Sequence, residues 1–487
     1  MAKPRDSSEV PGAVTPTNLE DARREDGLPG SSGEATRLPV LPDTRGASNR
    51  TGAGASTMTA GSATGPAVEP TAPTTHASEP SREPRIEART LKGFSDHLPE
   101  SAARREWIMA TLRKVFSGWG YMPLETPALE YADVLLGRYG AEAEKLIYRF
   151  PDMGGRDVAL RYDQTVPFAR VIAQYRDLPR PFRRYQFQRV WRGENTGRGR
   201  EREFTQCDVD VAGSPGVIAD AETLCIAAAG FQAIGFERVR VVVNDRTTFD
   251  ELGLSKGDII TIDKLSKIGE VGVINELARS GHDEADAREL LGRLQDAPPP
   301  PRLKQVIAAA HDLGIDPGSL VYDPTLARGL DYYTSTILEV VSPDYSSGSL
   351  GGGGRYDQLI GRFTGRDVPA VGFSFGLERV SDALASIGGL DHVQASPDAV
   401  VIPMGTSTLH WAGKVAAAIR AAGRTVAVGT EPDRPLGRQL EGATKLHARF
   451  AVIVGEDEAS AGTATVRNLS TRDQLTLPLS EVPTRLA

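Results

Sequence analysis

The chain has 487 residues, with 56 Lys+Arg against 64 Asp+Glu, a formal net charge of -8 and 40% hydrophobic residues. At about 150 residues per domain, that length points to roughly three domains. Two cysteines exclude a disulfide framework and point to a reducing, cytoplasmic compartment, no apolar run reaches the roughly 18 residues of a membrane helix, and Met1 to Ser8 lack the apolar core of a secretory signal.

Residues 1–90 contain no Phe, Trp or Tyr and hold 11 of the 33 prolines. Such a stretch cannot bury enough apolar surface to offset about 1–2 kcal/mol of backbone entropy per ordered residue, so it reads as a disordered tail. Its 10 basic and 12 acidic residues make neither a basic arm nor a transit peptide. Order is expected from Leu91. Ala102, Trp107, Ile108, Leu112, Val115 and Phe116 recur at helical spacing and predict a helix over 101–119 that stops at Gly120. The prolines of Tyr121 to Pro127 predict an extended segment.

Strand patterns follow at 145–150, 158–161, 184–192 and 204–211. Several alternate polar and apolar residues, as half-buried antiparallel strands do. A helix over 219–233 and a strand over 238–244 come next. Residues 251–314 read as mostly helical, divided by the proline run at 298–301. A strand is predicted at 334–341, a Gly-rich turn at 348–354 and a helix at 375–386. After a linker at 387–397, strands and helices alternate to the C-terminus, as in a small doubly wound α/β module.

Five motifs carry chemistry. The densest is Arg183 to Arg202, with seven arginines and no lysine. Two alternating strands flank the loop Asn195 to Arg200, so the pattern predicts a long hairpin tipped with guanidinium groups. Arginine's planar fork suits phosphate and carboxylate, and a local patch of this kind escapes the acidic total. A solvated charged hairpin is the alternative reading. The segment 327–334 joins Arg328 to the pair Tyr332 and Tyr333, whose rings and hydroxyls suit a flat polar ligand. Gly351 to Asp357, which includes Tyr356, permits close backbone approach but lacks the dinucleotide spacing. In 371–380 a strand leads into a helix bearing Arg379. In 160–167, Asp163, Gln164 and Thr165 offer donors and acceptors after a strand.

Other chemistries are poorly served. There is no C-x-x-C, no H-x-x-x-H and no P-loop. Gly372 to Gly376 matches a G-x-S-x-G elbow by letters. A hydrolase would also need an acid and then a histidine downstream of Ser374, whereas His392, His410 and His447 lie in the linker or the terminal module. Cys207 and Cys225 read as small buried hydrophobes.

Taken in order, these motifs resemble the histidyl-tRNA synthetase family of class II aminoacyl-tRNA synthetases, from roughly Leu91 to the C-terminus. Tyr121 to Glu130 resembles the first class-defining motif, which builds the homodimer interface. Arg192-Gly-Glu-Asn195, the arginine loop and Arg202-Glu-Phe204 resemble the second, and Gly376-Leu-Glu-Arg379 the third. Arg328 to Tyr333 and Gly353 to Asp357 resemble the two motifs peculiar to the histidine enzymes.

The resemblance implies an α+β fold: an antiparallel-sheet catalytic core over 91–386, with a helical insertion at about 251–316 and a C-terminal α/β anticodon-binding domain over 398–487. It implies ATP-dependent ligation of L-histidine to tRNA(His) through a histidyl-adenylate. Arg192 would bridge the carboxylate and α-phosphate, and Arg328 would stabilise the transition state. Glu194, Arg200, Phe204 and Arg379 would hold ATP, Phe204 by stacking on adenine. Asp163, Gln164, Thr165, Gln206, Asp210, Arg328, Tyr332, Tyr333 and Tyr356 would hold histidine. Mg²⁺ is expected beside the phosphates, its ligands unassigned. Two departures stand out: Asp210 lies where the family often has Glu, and Gly193 where many members carry a larger residue. A catalytically inactive, synthetase-like regulatory subunit of histidine biosynthesis, or a histidine or tRNA sensor, is the alternative.

Overall fold

The computed structural model describes residues 86–136, 147–197, 199–328, 332–346 and 348–486. The predicted tail therefore lies outside the described residues except for 86–90, an exposed extended stretch. So do Arg198 and the centre of the 328–333 motif.

Helix α1 (Pro99–Gly118) buries Ile108, Leu112 and Phe116, one residue per turn, and each contributes about 1.5–3 kcal/mol of apolar burial. Proline in its first turn costs no hydrogen bond, and Gly120 at φ +80° closes the far end. Strands β1 (Met122–Pro123) and β2 (Leu129–Tyr131), helix α2 (Ala132–Leu136), and strands β3 (Arg149–Pro151) and β4 (Asp157–Leu160) follow. Helix α3 (Thr165–Gln174) then leads to the long hairpin β5 (Phe182–Trp191) and β6 (Glu203–Ala212). Helix α4 (Val217–Ala233), strand β7 (Arg240–Asp245) and a short helical turn (Thr247–Glu251) precede four longer helices: α5 (Lys256–Ile262), α6 (Leu265–Arg279, broken at Gly269), α7 (Glu284–Gln295) and α8 (Pro301–Asp312). Strands β8 (Leu320–Tyr322), β9 (Thr336–Val341), β10 (Gly351–Arg355) and β11 (Ala370–Gly376) and helix α9 (Leu377–Ser386) complete the core.

Among the described residues, eight strands form one sheet in the order β1-β5-β6-β11-β10-β9-β7-β8. Its interior pairs are antiparallel, and only the edge pairs β1/β5 and β7/β8 are parallel. Strands β2, β4 and β3 make a separate antiparallel sheet. Helices α1, α4 and α9 cover one face of the large sheet around Phe231, Phe373 and Phe375. Gly230 lets α4 come close, since a Cβ there would lie 2.6 Å from the Phe375 ring. Leu303, Val306 and Ala310 of α8 join this same cluster. The apolar residues of α5, α6 and α7 instead pack with Phe168, Tyr332, Tyr333 and Tyr356. The helical stretch read as one insertion thus divides, because the apolar stripe of α8 faces α4.

Two expectations need correction. The glycines of 351–354 are no turn: they form β10, in the middle of the sheet. A Cβ on Gly353 would sit 2.1 Å from the Gly372 carbonyl oxygen, and one on Gly354 would sit 2.7 Å from that of Thr336. The run is needed because backbone and side chains of neighbouring segments crowd the strand. Phe375 also lies in β11 rather than in α9.

The C-terminal segment forms strands β12 (Ala399–Pro403), β13 (Val426–Val428), β14 (Phe450–Val454), β15 (Thr463–Asn468) and β16 (Gln474–Pro478) in the order β13-β12-β14-β15-β16. The first three are parallel and β15 and β16 add antiparallel. Helices α10 (Leu409–Ala421) and α11 (Leu436–Lys445) cover opposite faces. Val401 packs with Val415 and Ile419 on one side, and Ile402 with Ala443 and Leu440 on the other.

Candidate active site

A cavity of about 510 Å³ opens over the centre of the large sheet. Its floor is Gly351, Gly352 and Gly353 of β10 with Gly372 of β11, so backbone replaces side chains where the space is needed. One wall is β6. Phe204, Gln206, Asp208 and Asp210 alternate onto the same face, as the pleat requires. Asp163 and Thr165, at the turn into α3, adjoin it. Arg192, Glu194 and Arg200 come from the β5–β6 loop, Arg379 from α9, and Arg328, Tyr332, Tyr333 and Tyr356 from the segments flanking β9 and β10.

The Arg192 guanidinium lies 5.1 Å from the Phe204 ring centroid, and its Nε donates to the Tyr162 carbonyl at 2.9 Å. Arg379 donates to the Ser349 carbonyl at 2.9 Å, and Arg200 pairs with Glu194 at 2.8 Å. Arg328 Nη1 meets Glu339 Oε1 at 2.7 Å, and its guanidinium stands 5.8 Å from the Tyr333 ring centroid. Burial pulls the Arg328 pKa down, but Tyr333 and Glu339 outweigh it and the net shift is upward. Arg328 fits there only because position 352 is glycine: a Cβ would lie 1.7 Å from Nη1.

The wall formed by β6 and the turn into α3 is acidic. Asp163, Asp208 and Asp210 are each at most 3% exposed. Asp163 Oδ1 accepts the Val166 N–H at 3.1 Å. Asp210 accepts the Tyr356 hydroxyl and lies 2.7 Å from Arg184. Asp163 Oδ2, Gln206 Oε1 and Asp208 Oδ1 are buried without a hydrogen-bond partner. Burial pushes Asp163 up to about 6 and Asp208 up to about 7, and it raises Asp210. Orphaned acceptors on a cavity wall carry a desolvation cost of about 1–3 kcal/mol each until a donor arrives.

Every predicted site residue except Gln164 lines this cavity. The Gln164 side chain is fully buried and donates to the carbonyls of Gln188 and Gln206, so it ties α3 to the hairpin. The arginine cluster also divides. Arg184 is fully buried opposite Asp210 in the β5/β6 register, Arg183 pairs with Glu222 and Arg189 with Glu203. Arg202 donates to the Glu194 carbonyl. Only Arg192 and Arg200, among the described members of the cluster, line the cavity. Gly193 is exposed.

Sequence reasoning missed Asp208, Asp263, Glu339 and Glu378, which also line the cavity. Alternation along Gln206 to Asp210 was a signal for Asp208. Asp263 follows α5 and had no local signal at all. Glu378 is already committed: it accepts Arg105 at 2.8 Å and the Thr205 N–H at 3.0 Å. Ser374 accepts a hydrogen bond from Gln206, not from a histidine.

Residues 93–380 match the family described as Histidyl-tRNA synthetase, and residues 398–487 match an anticodon binding domain. The histidine--tRNA ligase of Rhodopirellula baltica is 37% identical over 422 residues, covering 80% of this chain and 95% of that protein. That of Aeropyrum pernix is 38% identical over 426 residues, covering 81% and 96%. The crystal structure of histidyl-tRNA synthetase from Nostoc sp. PCC 7120 superposes with a TM-score of 0.72 at 31% identity, covering 82% of this chain and 99% of that one. With one cavity joining an acidic wall to an arginine set on an antiparallel sheet, and with matches of this extent, the chain belongs to the histidyl-tRNA synthetase family.

Proposed function

We propose that the protein ligates L-histidine to tRNA(His) in two steps, through a histidyl-adenylate formed from ATP. The observation that carries this reading is the cavity's lining: unpartnered acceptors of Asp163, Gln206 and Asp208 together with the cations Arg192, Arg328 and Arg379. An amino acid presents donors, its ammonium and side chain, at one end and a carboxylate at the other. A nucleoside triphosphate presents polyanion. The cavity therefore has complementary places for both.

The first step is in-line attack of the histidine carboxylate on the α-phosphate. Both reactants are anionic, so the site must offset repulsion and hold them in line. Arg192 bridges the carboxylate and α-phosphate, while Arg328, held by Glu339, faces the charge that grows in the transition state. Arg379, with Arg200, takes the phosphate tail, and Phe204 stacks on adenine with Glu194 at its edge. Asp163 and Thr165 receive the ammonium. Gln206, Asp210, Tyr332, Tyr333 and Tyr356 enclose the imidazole. A pocket built from polar groups rejects analogues lacking the matching donors by about 10⁴–10⁵, because its own groups would be left unpaired.

Mg²⁺ is part of this reading as a companion of ATP. Among the described residues, no group of three or more His, Cys, Asp or Glu could hold a metal. The described residues thus offer no cage of their own. The C-terminal α/β module would read the anticodon, and the chain would work as a homodimer in the cytoplasm. No helix among the described residues is long and apolar enough to cross a membrane. The non-catalytic regulatory reading is not favoured, because the cavity has its arginines and the C-terminal module is present. Histidine-dependent ATP–pyrophosphate exchange by the purified full-length protein tests the proposal. Exchange should depend on histidine, and its absence would refute the synthetase reading.

A further inference from the structure

The wall that would receive the imidazole has a carboxylate more than ring recognition by Asp210 requires. Asp210 already has both oxygens engaged, one by the Tyr356 hydroxyl and one by Arg184. Asp208, two residues earlier on the same face of β6, is 2% exposed and lines the cavity. Its Oδ2 stands 3.8 Å from Arg184, too far for a hydrogen bond, and its Oδ1 has no partner.

The charge around Asp208 is unbalanced. From β5 it faces Arg184, which is closer to Asp210. From the end of β4 it feels Arg161, whose guanidinium is committed to Thr126, Pro127, Gln188 and Arg189. Asp163 adds a third carboxylate from the turn into α3, and Ser374 of β11 gives the Asp208 carboxylate a neutral hydrogen bond that offsets its burial only in part. The side-chain atoms of β6 and the α3 turn that line the cavity with neither a hydrogen bond nor an ion pair are Asp163 Oδ2, Gln206 Oε1 and Asp208 Oδ1, all acceptors. A neutral imidazole brings one N–H and one bare nitrogen, and the bare nitrogen would face an acceptor. An imidazole that shares one further proton with a wall carboxylate leaves no such clash.

We propose that Asp208 is a specificity-determining residue that holds one proton jointly with the imidazole of bound histidine, so that histidine binding takes up a proton near neutral pH. This rests on the histidine-ligating reading of the cavity. The accounting is simple: one proton comes from solvent, and it lies between Asp208 Oδ1 and a ring nitrogen, whichever carries it formally. Burial holds free Asp208 near 7, and a free imidazole has a pKa of about 6.5, so at pH 8 neither carries that proton for most of the time before they meet. The pocket thereby selects a basic ring. A ring of the same shape that cannot be protonated brings no further proton to share, so a bare ring nitrogen would be left facing a buried acceptor.

The test is calorimetric titration of L-histidine into the full-length protein at pH 8.0, in phosphate, HEPES and Tris, whose ionisation enthalpies differ. The dependence of the observed heat on the buffer gives the number of protons taken up. We expect close to one for the parent and close to none for Asp208→Asn. The variant should also bind histidine about ten- to a hundredfold more weakly, the range for one lost charge-assisted hydrogen bond. A second arm uses the parent protein alone, so that it does not depend on the variant folding. Triazolylalanine, with a nonbasic ring, should bind weakly and without uptake. Equal uptake by parent and variant, or equal uptake with both ligands, would overturn the proposal. No histidine binding and no exchange by the parent would instead overturn the functional reading beneath it.

Discussion

Gly352→Ala separates the catalytic arm from the fold. A Cβ built at 352 lies 1.7 Å from Arg328 Nη1 and 2.4 Å from Cζ, whereas ordinary contact begins at 3.4 Å. The guanidinium must therefore retreat by about 1.7 Å, which carries it off Glu339, now 2.7 Å away. The side that yields is the far end of a flexible side chain, and φ at Gly352 is not in the left-handed region, so the backbone accepts alanine without strain. Stability should change little, with Tm within about 2 °C of the parent. Activity should not survive as well. A misplacement of about 1 Å can cost 10²-fold, and removing one charge-stabilising donor costs about 10²–10³ in turnover. ATP–pyrophosphate exchange should therefore lose about 10²-fold, with the greater part in kcat. Arg328→Ala should lose at least as much, and the double variant should be no worse than Arg328→Ala, because both substitutions disable the same group. Exchange by Gly352→Ala within about threefold of the parent, or losses that multiply in the double variant, would refute the assignment.

Gly353→Ala should behave in the opposite way. Its Cβ would meet the Gly372 carbonyl oxygen at 2.1 Å, backbone of the adjacent strand, so the loss should be about 1–3 kcal/mol or more of stability, read as a clearly lower Tm. Glu339→Ala should lower the exchange kcat about tenfold, and Glu339→Gln, which keeps an acceptor for Arg328, should recover part of it; equal loss in both would argue that charge alone matters. Asp208→Asn should raise Tm at pH 8, since burial holds this carboxyl up to about 7 against an ordinary 3.8. Between those values the folded state binds more protons than the unfolded one, so the parent loses stability as pH rises through the window. The gain from the substitution should shrink as melting is repeated toward pH 4, and a gain independent of pH would count against the burial argument.

Local pattern determined much of this protein. Period 3.6 gave α1 within two residues at each end, and period 2 gave the β5–β6 hairpin. Motif order placed Arg192, Arg328 and Arg379 together, and they do line one cavity. Tertiary structure decided which polar groups face that cavity and which are spent elsewhere. Arg184 and Arg192 belong to one arginine run, but the β5/β6 register sets Arg184 against Asp210 in the interior, while Arg192 lies past the strand end. Gln164 sits beside Asp163, but two carbonyls of the hairpin capture its amide. Four glycines read as a turn because glycine usually marks one; here they are a strand because Arg328, Gly372 and Thr336, remote in sequence, occupy the space their side chains would need. Asp263 and Glu339 reach the cavity from segments with no motif of their own. Periodicity reports on neighbours a few residues away, whereas the fate of a buried charge is set by partners that only the fold brings within 3 Å.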